Sequence, residues 1–309
     1  MIAKIILPWF GGSAAVWSTC LLFFQMVLLL GYLYAHLVTR YLKPRVQMAV
    51  HLALMAASLL ALRVYPDASW KPRPDADPGF AILGLLAASV GLPYFLLSTT
   101  GPLLQAWYAR QFHGAIPYRL YALSNAGSMF ALLSYPFLFE PVYTTHEQAS
   151  IWSAGYGGFV LLCGATSIWA ARSGVAPPAE EASENGRPGV REYAMWLMLP
   201  ACASVLLLSL SNHITQDVAS IPFLWVLPLS LYLLSFILCF DGRGWFRYRR
   251  YPYVPLMAVL LGGMAIAVDG IDNAGIRFLV GLFSIGLFAC CMVCHGELTL
   301  LKPHPRYLT

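Results

Sequence analysis

The stretch AAVWSTCLLFFQMVLLLGYLYAHLVT, Ala14–Thr39, contains no Asp, Glu, Lys or Arg. A helix of about 20 apolar residues crosses the hydrocarbon core of a bilayer, so this one segment already predicts a membrane span. Working outward from it, eight further charge-free windows follow: Val46–Leu62, Phe80–Ser98, Leu120–Phe139, Gln148–Ala171, Ala194–Asn212, Val218–Phe240, Tyr251–Val268 and Phe278–Gly296. The Val46–Leu62 window is the shortest. The third window stays uncharged through Thr99-Thr100-Gly101-Pro102 to Ala109, which predicts a break and then a short interfacial helix. The fold class expected is all-α, a polytopic membrane helical bundle of about nine spans.

Composition agrees. Of 309 residues, 59% are hydrophobic and only 11% charged, against about 25% charged in an ordinary soluble domain. The mean hydropathy is +0.66. Too few charges remain to cover a globular surface, which argues against a soluble enzyme, a disordered chain and a nucleic-acid-binding domain. The net charge of +5 reflects scarce acids rather than abundant bases. The seven cysteines all lie in apolar stretches and read as small buried hydrophobes rather than a disulfide framework.

The positive-inside rule sets the expected orientation. Alternate loops hold Arg40, Lys43, Arg45, Arg110, Arg119, Arg172, Arg187, Arg191, Arg243, Arg247, Arg249, Arg250, Lys302 and Arg306, which is 14 of the 19 basic residues. The other side holds Lys4, Arg63, Lys71, Arg73 and Arg277. The N-terminus as given is expected outside and the C-terminus inside, in the inner (plasma) membrane. The run Arg243–Tyr251 mixes bases with aromatics. It reads as a topology anchor on anionic lipid in a cytoplasmic loop rather than a nucleic-acid patch. Met1–Lys4 imitates a signal-peptide start, but Pro8 and Gly11-Gly12 break the run.

The two halves echo each other. Pro8-Trp9 introduces Trp17 and a helix ending Gly31-Tyr-Leu-Tyr34, while Pro222 introduces Trp225 and a helix ending Leu231-Tyr-Leu-Leu-Ser235. Same-direction repeats joined by a cytoplasmic linker suit a major-facilitator-like architecture with two pseudo-repeated halves. The expected organisation is residues 1–172 as a first membrane half of about five spans, 173–191 as a linker, and 192–309 as a second half of about four. Against two six-helix halves, one helix is expected before Met1 and two after Thr309.

Several motifs are more specific than hydropathy: Ile6-Leu-Pro-Trp-Phe-Gly-Gly-Ser13, Ser98-Thr-Thr-Gly-Pro-Leu-Leu-Gln-Ala-Trp107, Tyr118-Arg-Leu-Tyr-Ala-Leu-Ser-Asn-Ala-Gly127, His213-Ile-Thr-Gln-Asp217, Leu224-Trp-Val-Leu-Pro228 and Val293-Cys-His-Gly-Glu-Leu298. With these the chain resembles the membrane portion of the bacterial fused major-facilitator/spermidine-synthase-like family, truncated at both ends. The resemblance implies a transporter-like module of unknown substrate. It also implies a downstream aminopropyltransferase-like domain, none of whose catalytic residues lies in this chain. A second role it implies is a membrane anchor for such a domain; a third, a subunit of a larger membrane complex, follows from the missing bundle helices, whose faces partners would fill. The expected partners are the lipid bilayer, and either an aminopropyltransferase-like domain or other membrane subunits, with no nucleic acid.

Ionisable groups within spans are costly and are therefore candidate sites. His213, Gln216 and Asp217 cluster where the sixth window meets the seventh. They read as a cation or proton site, or Asp217 reads as the N-cap of the next helix. His295 and Glu297 lie at the inner end of the ninth window, where Glu297 either pairs with Lys302 or Arg306 or binds a cation. Gln25 and Asn125 are mid-span polar groups, candidates for interhelical hydrogen bonds or for lining a path, and Gly127-Ser128 and Ser153, Gly157 and Gly158 read as small packing faces. Cys291-Met-Val-Cys294-His295 matches the C-x-x-C-H haem signature, but in an apolar helix the match is accidental. No dinucleotide, Walker, zincin or nucleophile-elbow motif occurs. No catalytic residue, cofactor or metal site is expected, and whether the chain belongs to an enzyme stays open.

Overall fold

The computed structural model describes residues 2–11, 14–62, 64–71, 77–111, 118–172, 188–214, 226–241, 245–270 and 276–301. Among them there is no strand. Twelve α-helices follow in order: α1 Ile2–Phe10, α2 Ala14–Tyr41, α3 Pro44–Leu60, α4 Pro78–Leu86, α5 Leu92–Gln111, α6 Tyr118–Ser134, α7 Glu140–Val142, α8 Thr145–Arg172, α9 Val190–His213, α10 Val226–Phe240, α11 Trp245–Gly270 and α12 Ile276–Leu300. Among the described residues six segments are long and apolar enough to cross a membrane: Val16–Tyr41, Pro78–Arg110, Arg119–Val142, Thr145–Arg172, Val190–His213 and Phe278–Leu300. Pro44–Leu60, Val226–Phe240 and Val254–Ile266 are shorter apolar helices. Large apolar side chains such as Leu29, Leu60, Phe130 and Leu161 are exposed, as a chain dissolved in lipid rather than water requires. The protein is a multi-pass helical membrane protein.

The chain forms two compact units. The first comprises Met1–Ala115, Phe139–Ala179 and Arg306–Thr309, and the second Ile116–Leu138 and Glu180–Pro305. In the first, α2 packs along α5 and on α4, and α3 on α8. Ile6, Val16, Phe23, Ile82, Leu85 and Ala149 form one buried apolar cluster there. The helix starts are built as the local sequence dictates. Asp77 accepts from the Gly79 amide at 2.7 Å ahead of Pro78 in the first turn of α4, a side-chain cap joined to a residue that has no N–H to satisfy. Thr144 and Glu147 exchange bonds at the start of α8, a capping box.

The break expected at Thr99–Pro102 is absent. α5 runs through Pro102, and the hydroxyls of Ser98, Thr99 and Thr100 turn back onto the carbonyls of Phe95 and Leu96. Proline takes from the ladder the N–H that would reach the Ser98 carbonyl, and the hydroxyl bonds lie one turn earlier. The irregularity falls earlier, in a π-type turn at Ala87–Gly91 that joins α4 to α5.

In the second unit α10 packs on α6 and α12, and α12 on α9 and α11. Phe283, Leu287, Cys291, Met264, Ala203 and Ile214 form its core. The Trp196 indole N–H closes α9 onto the C-terminal end of α12 through the Leu301 carbonyl at 2.7 Å. A second π-type turn, Tyr135–Phe139, follows α6 around Pro136. The basic-aromatic run expected as a loop begins α11 at Trp245. All seven cysteines are free, and every one but Cys202 is buried.

Candidate functional site

The residues singled out by sequence are scattered. Gln216 and Asp217 lie outside the described residues, as do Lys302 and Arg306. His213 ends α9 and sets its ring edge-on to Phe283 of α12, centroids 4.8 Å apart. His295 lies on the same helix, about 18 Å further along at 1.5 Å per residue. The two histidines are therefore not brought together. Glu297 is half-buried one turn before the end of α12, and Gln25 is on the exposed face of α2. Asn125 donates to the Tyr121 carbonyl of its own helix at 2.8 Å, so its amide is used locally. A Cβ built on Gly127, Gly157 or Gly158 meets no described atom within 4 Å, so those small faces are not close helix contacts among the described residues.

His295 itself is fully buried. Its Nδ1 lies 3.0 Å from the Ser235 hydroxyl, and its ring is flanked by Tyr232 and Phe236. Ser235 also donates to the Tyr232 carbonyl at 2.7 Å. With the hydroxyl proton there, the imidazole donates through Nδ1 and leaves Nε2 a bare lone pair. That nitrogen has no partner among the described residues.

A second set was not anticipated. α3 buries Gln47, His51, Met55 and Ser58, positions i, i+4, i+8 and i+11 on one helical face. Its outward residues include Val46, Ala49, Ala53, Ala56, Leu59 and Leu60. The helix is amphipathic in the sense opposite to that of a soluble protein: lipid takes the apolar side and the protein interior takes the polar one. His51 is 1% exposed. Its Nδ1 is 3.4 Å from the Tyr34 hydroxyl and its Nε2 3.6 Å from the Cys163 sulfur, both longer than a full-strength bond to nitrogen or oxygen. Trp107 stands edge-on to the imidazole. One turn past Met55, Ser58 shares a 2.7 Å bond with the Tyr156 hydroxyl and donates to the Met55 carbonyl. The signal that could have found this seam was the polar spacing inside the shortest charge-free window.

The seam runs up to a cavity of about 560 Å³ at the N-terminal end of α3, lined by Lys43, Arg45, Gln47, Trp107, Arg110 and Ala170 among others. Arg110, half-buried, is fixed in place: one guanidinium nitrogen donates to Gln47 Oε1 and another to the Thr39 carbonyl, both at 3.1 Å. The Gln47 amide nitrogen is held by the Leu42 carbonyl at 2.8 Å. Among the described residues the lining contains no carboxylate.

A Tyr156→Phe, Ser58→Ala double-mutant cycle is expected to give a coupling of about 0.6 kcal/mol, the usual scale for a hydrogen bond between membrane helices. The small value follows from Ser58 keeping its bond to Met55. Chemical denaturation in detergent reads it, and a coupling above about 2 kcal/mol would mean that the pair holds more than one bond together.

No protein-family model, no curated protein and no solved structure matches the chain.

Proposed function

We propose that the chain is a transporter-like membrane module that conducts a small neutral or anionic solute along the seam of α3. The observation that carries this reading is the inward polar face of Gln47, His51 and Ser58. Ionisable groups held within membrane helices mark solute or proton pathways more often than they serve packing. The seam's ionisable groups are an imidazole and, at its end, a guanidinium, which suit an uncharged or negative solute rather than a polyamine. The nine charge-free windows each overlap a helix, which supports a nine-span bundle. The pseudo-repeat, the inner-membrane setting with the N-terminus outside, and membership of the fused spermidine-synthase-like family belong to the same reading.

Cys163, against His51, provides a test that needs no knowledge of the substrate. In a chain keeping Cys163 as its single cysteine, a membrane-impermeant methanethiosulfonate added to vesicles should label it. A chain keeping only Cys20, buried in the apolar cluster of the same unit, is the comparison. Transport through the seam predicts labelling at least about tenfold faster at Cys163, because opening of a path, and not global unfolding, exposes it. Equal, slow labelling at both positions sinks the transport reading and leaves the membrane-anchor role.

A further inference from the structure

We propose that the cavity at the N-terminal end of α3 binds a phosphate-bearing anion. Three cationic side chains, Lys43, Arg45 and Arg110, line one concave space, and the described lining offers no counter-charge. Among the described residues the ion pair found is Lys4–Glu140, on other helices. The same space receives the start of α3, where Lys43 occupies the N-cap position with no side-chain cap bond. The positive end of a helix disfavours cations in its first turn, so Lys43 and Arg45 repel both each other and the helix. An anion relieves all of these at once. Arg110 is preorganised for it: Gln47 and the Thr39 carbonyl take one hydrogen from each terminal nitrogen, and the remaining guanidinium donors stay available for the fork geometry that phosphate oxygens match. The positive-inside count assigns this end to the cytoplasmic face, where phosphates on soluble compounds and on lipid headgroups both occur.

The proposal rests on the cavity and not on transport through the seam, so a chain that binds the anion and fails the Cys163 test keeps one reading and loses the other. The experiment uses the full chain in nanodiscs and follows its tryptophan fluorescence during heating. In one arm, inorganic phosphate is titrated into phosphatidylcholine nanodiscs, with chloride at equal ionic strength as control. In the other, part of the phosphatidylcholine is replaced by phosphatidylglycerol in phosphate-free buffer. A saturable rise in melting temperature of about 3–6 °C is expected in at least one arm. A response to phosphate identifies a soluble ligand, and a response to phosphatidylglycerol alone identifies a lipid headgroup. Arg110→Gln loses two bonds and is exposed to misfolding, so the deciding variant is Lys43→Gln with Arg45→Gln, both on exposed side chains. Each removed charge should weaken binding about fivefold, so the pair weakens it about 25-fold, while the exchange Lys43→Arg with Arg45→Lys retains it. No response of the wild-type chain in either arm overturns the proposal. So does equal weakening by Arg119→Gln with Arg191→Gln, two exposed bases of the second unit, because the effect is then general surface charge.

Discussion

Gly31→Leu is expected to abolish the recovery of monodisperse protein, and Gly31→Ala to destabilise the chain by about 1–3 kcal/mol, the usual range for overpacking. Gly31 is buried on α2 where that helix crosses α5. A Cβ placed there collides with Ser98 Oγ and lies 3.0 Å from Ser98 Cβ and 3.3 Å from the Phe95 carbonyl oxygen. The carbonyl cannot move without the helix, and Ser98 Oγ is tied to that same carbonyl at 2.6 Å. Close approach through a residue without a side chain is a common way for membrane helices to gain packing contacts. Gly286 is the control. A Cβ there meets the Met264 side chain, whose unbranched end can swing away, so Gly286→Ala should change stability by less than about 0.5 kcal/mol. Adding Ser98→Ala to Gly31→Ala should recover part of the loss, because the Oγ collision disappears and the carbonyl contact stays. Melting in detergent together with size-exclusion profiles reads all four variants. An unchanged melting temperature for Gly31→Leu would falsify the helix crossing described here.

His295→Leu is expected to act in the opposite direction and stabilise the second unit by about 1 kcal/mol, net of one lost hydrogen bond and one relieved unsatisfied nitrogen. In melting temperature that is roughly 2–4 °C for a unit of this size. Ser235 is not orphaned by the change, since its hydroxyl still reaches the Tyr232 carbonyl. His295→Gln keeps a buried polar group in the same place and should give no gain. Destabilisation by His295→Leu would show that the imidazole is held by more than Ser235. A stabilised variant would mark His295 as a residue kept at the expense of stability, the usual sign of a position serving function.

The helices were legible because lipid imposes one crude requirement: long runs without charge. Ala14–Thr39 and Phe278–Gly296 meet it and lie within α2 and α12. What charge-counting cannot register is which side of a helix meets protein. Gln47 and His51 sit in the shortest window, and their four-residue spacing is the polar stripe that α3 turns inward. Asn125 and Gln25 looked more significant as isolated mid-span amides, but one is satisfied within its own helix and the other is exposed. Pro102 predicted a break, but α5 runs through it. The close approach at Gly31 depends on its register against Ser98, a distance across the fold that no local pattern encodes.

The brevity of α3 has a consequence for the membrane around it. Its 17 residues span about 25 Å at 1.5 Å each, less than the roughly 30 Å of a typical hydrocarbon layer. A crossing α3 is therefore mismatched, and local thinning of the bilayer together with snorkelling of its flanking bases takes up the difference. Lys43 and Arg45 at its short end then draw headgroups and water inward. Tyr41, exposed just before them, sits where an aromatic anchor holds such a depression open. The protein would thin its own solvent at the mouth of the cavity, shortening the distance a polar solute travels before it meets the chain.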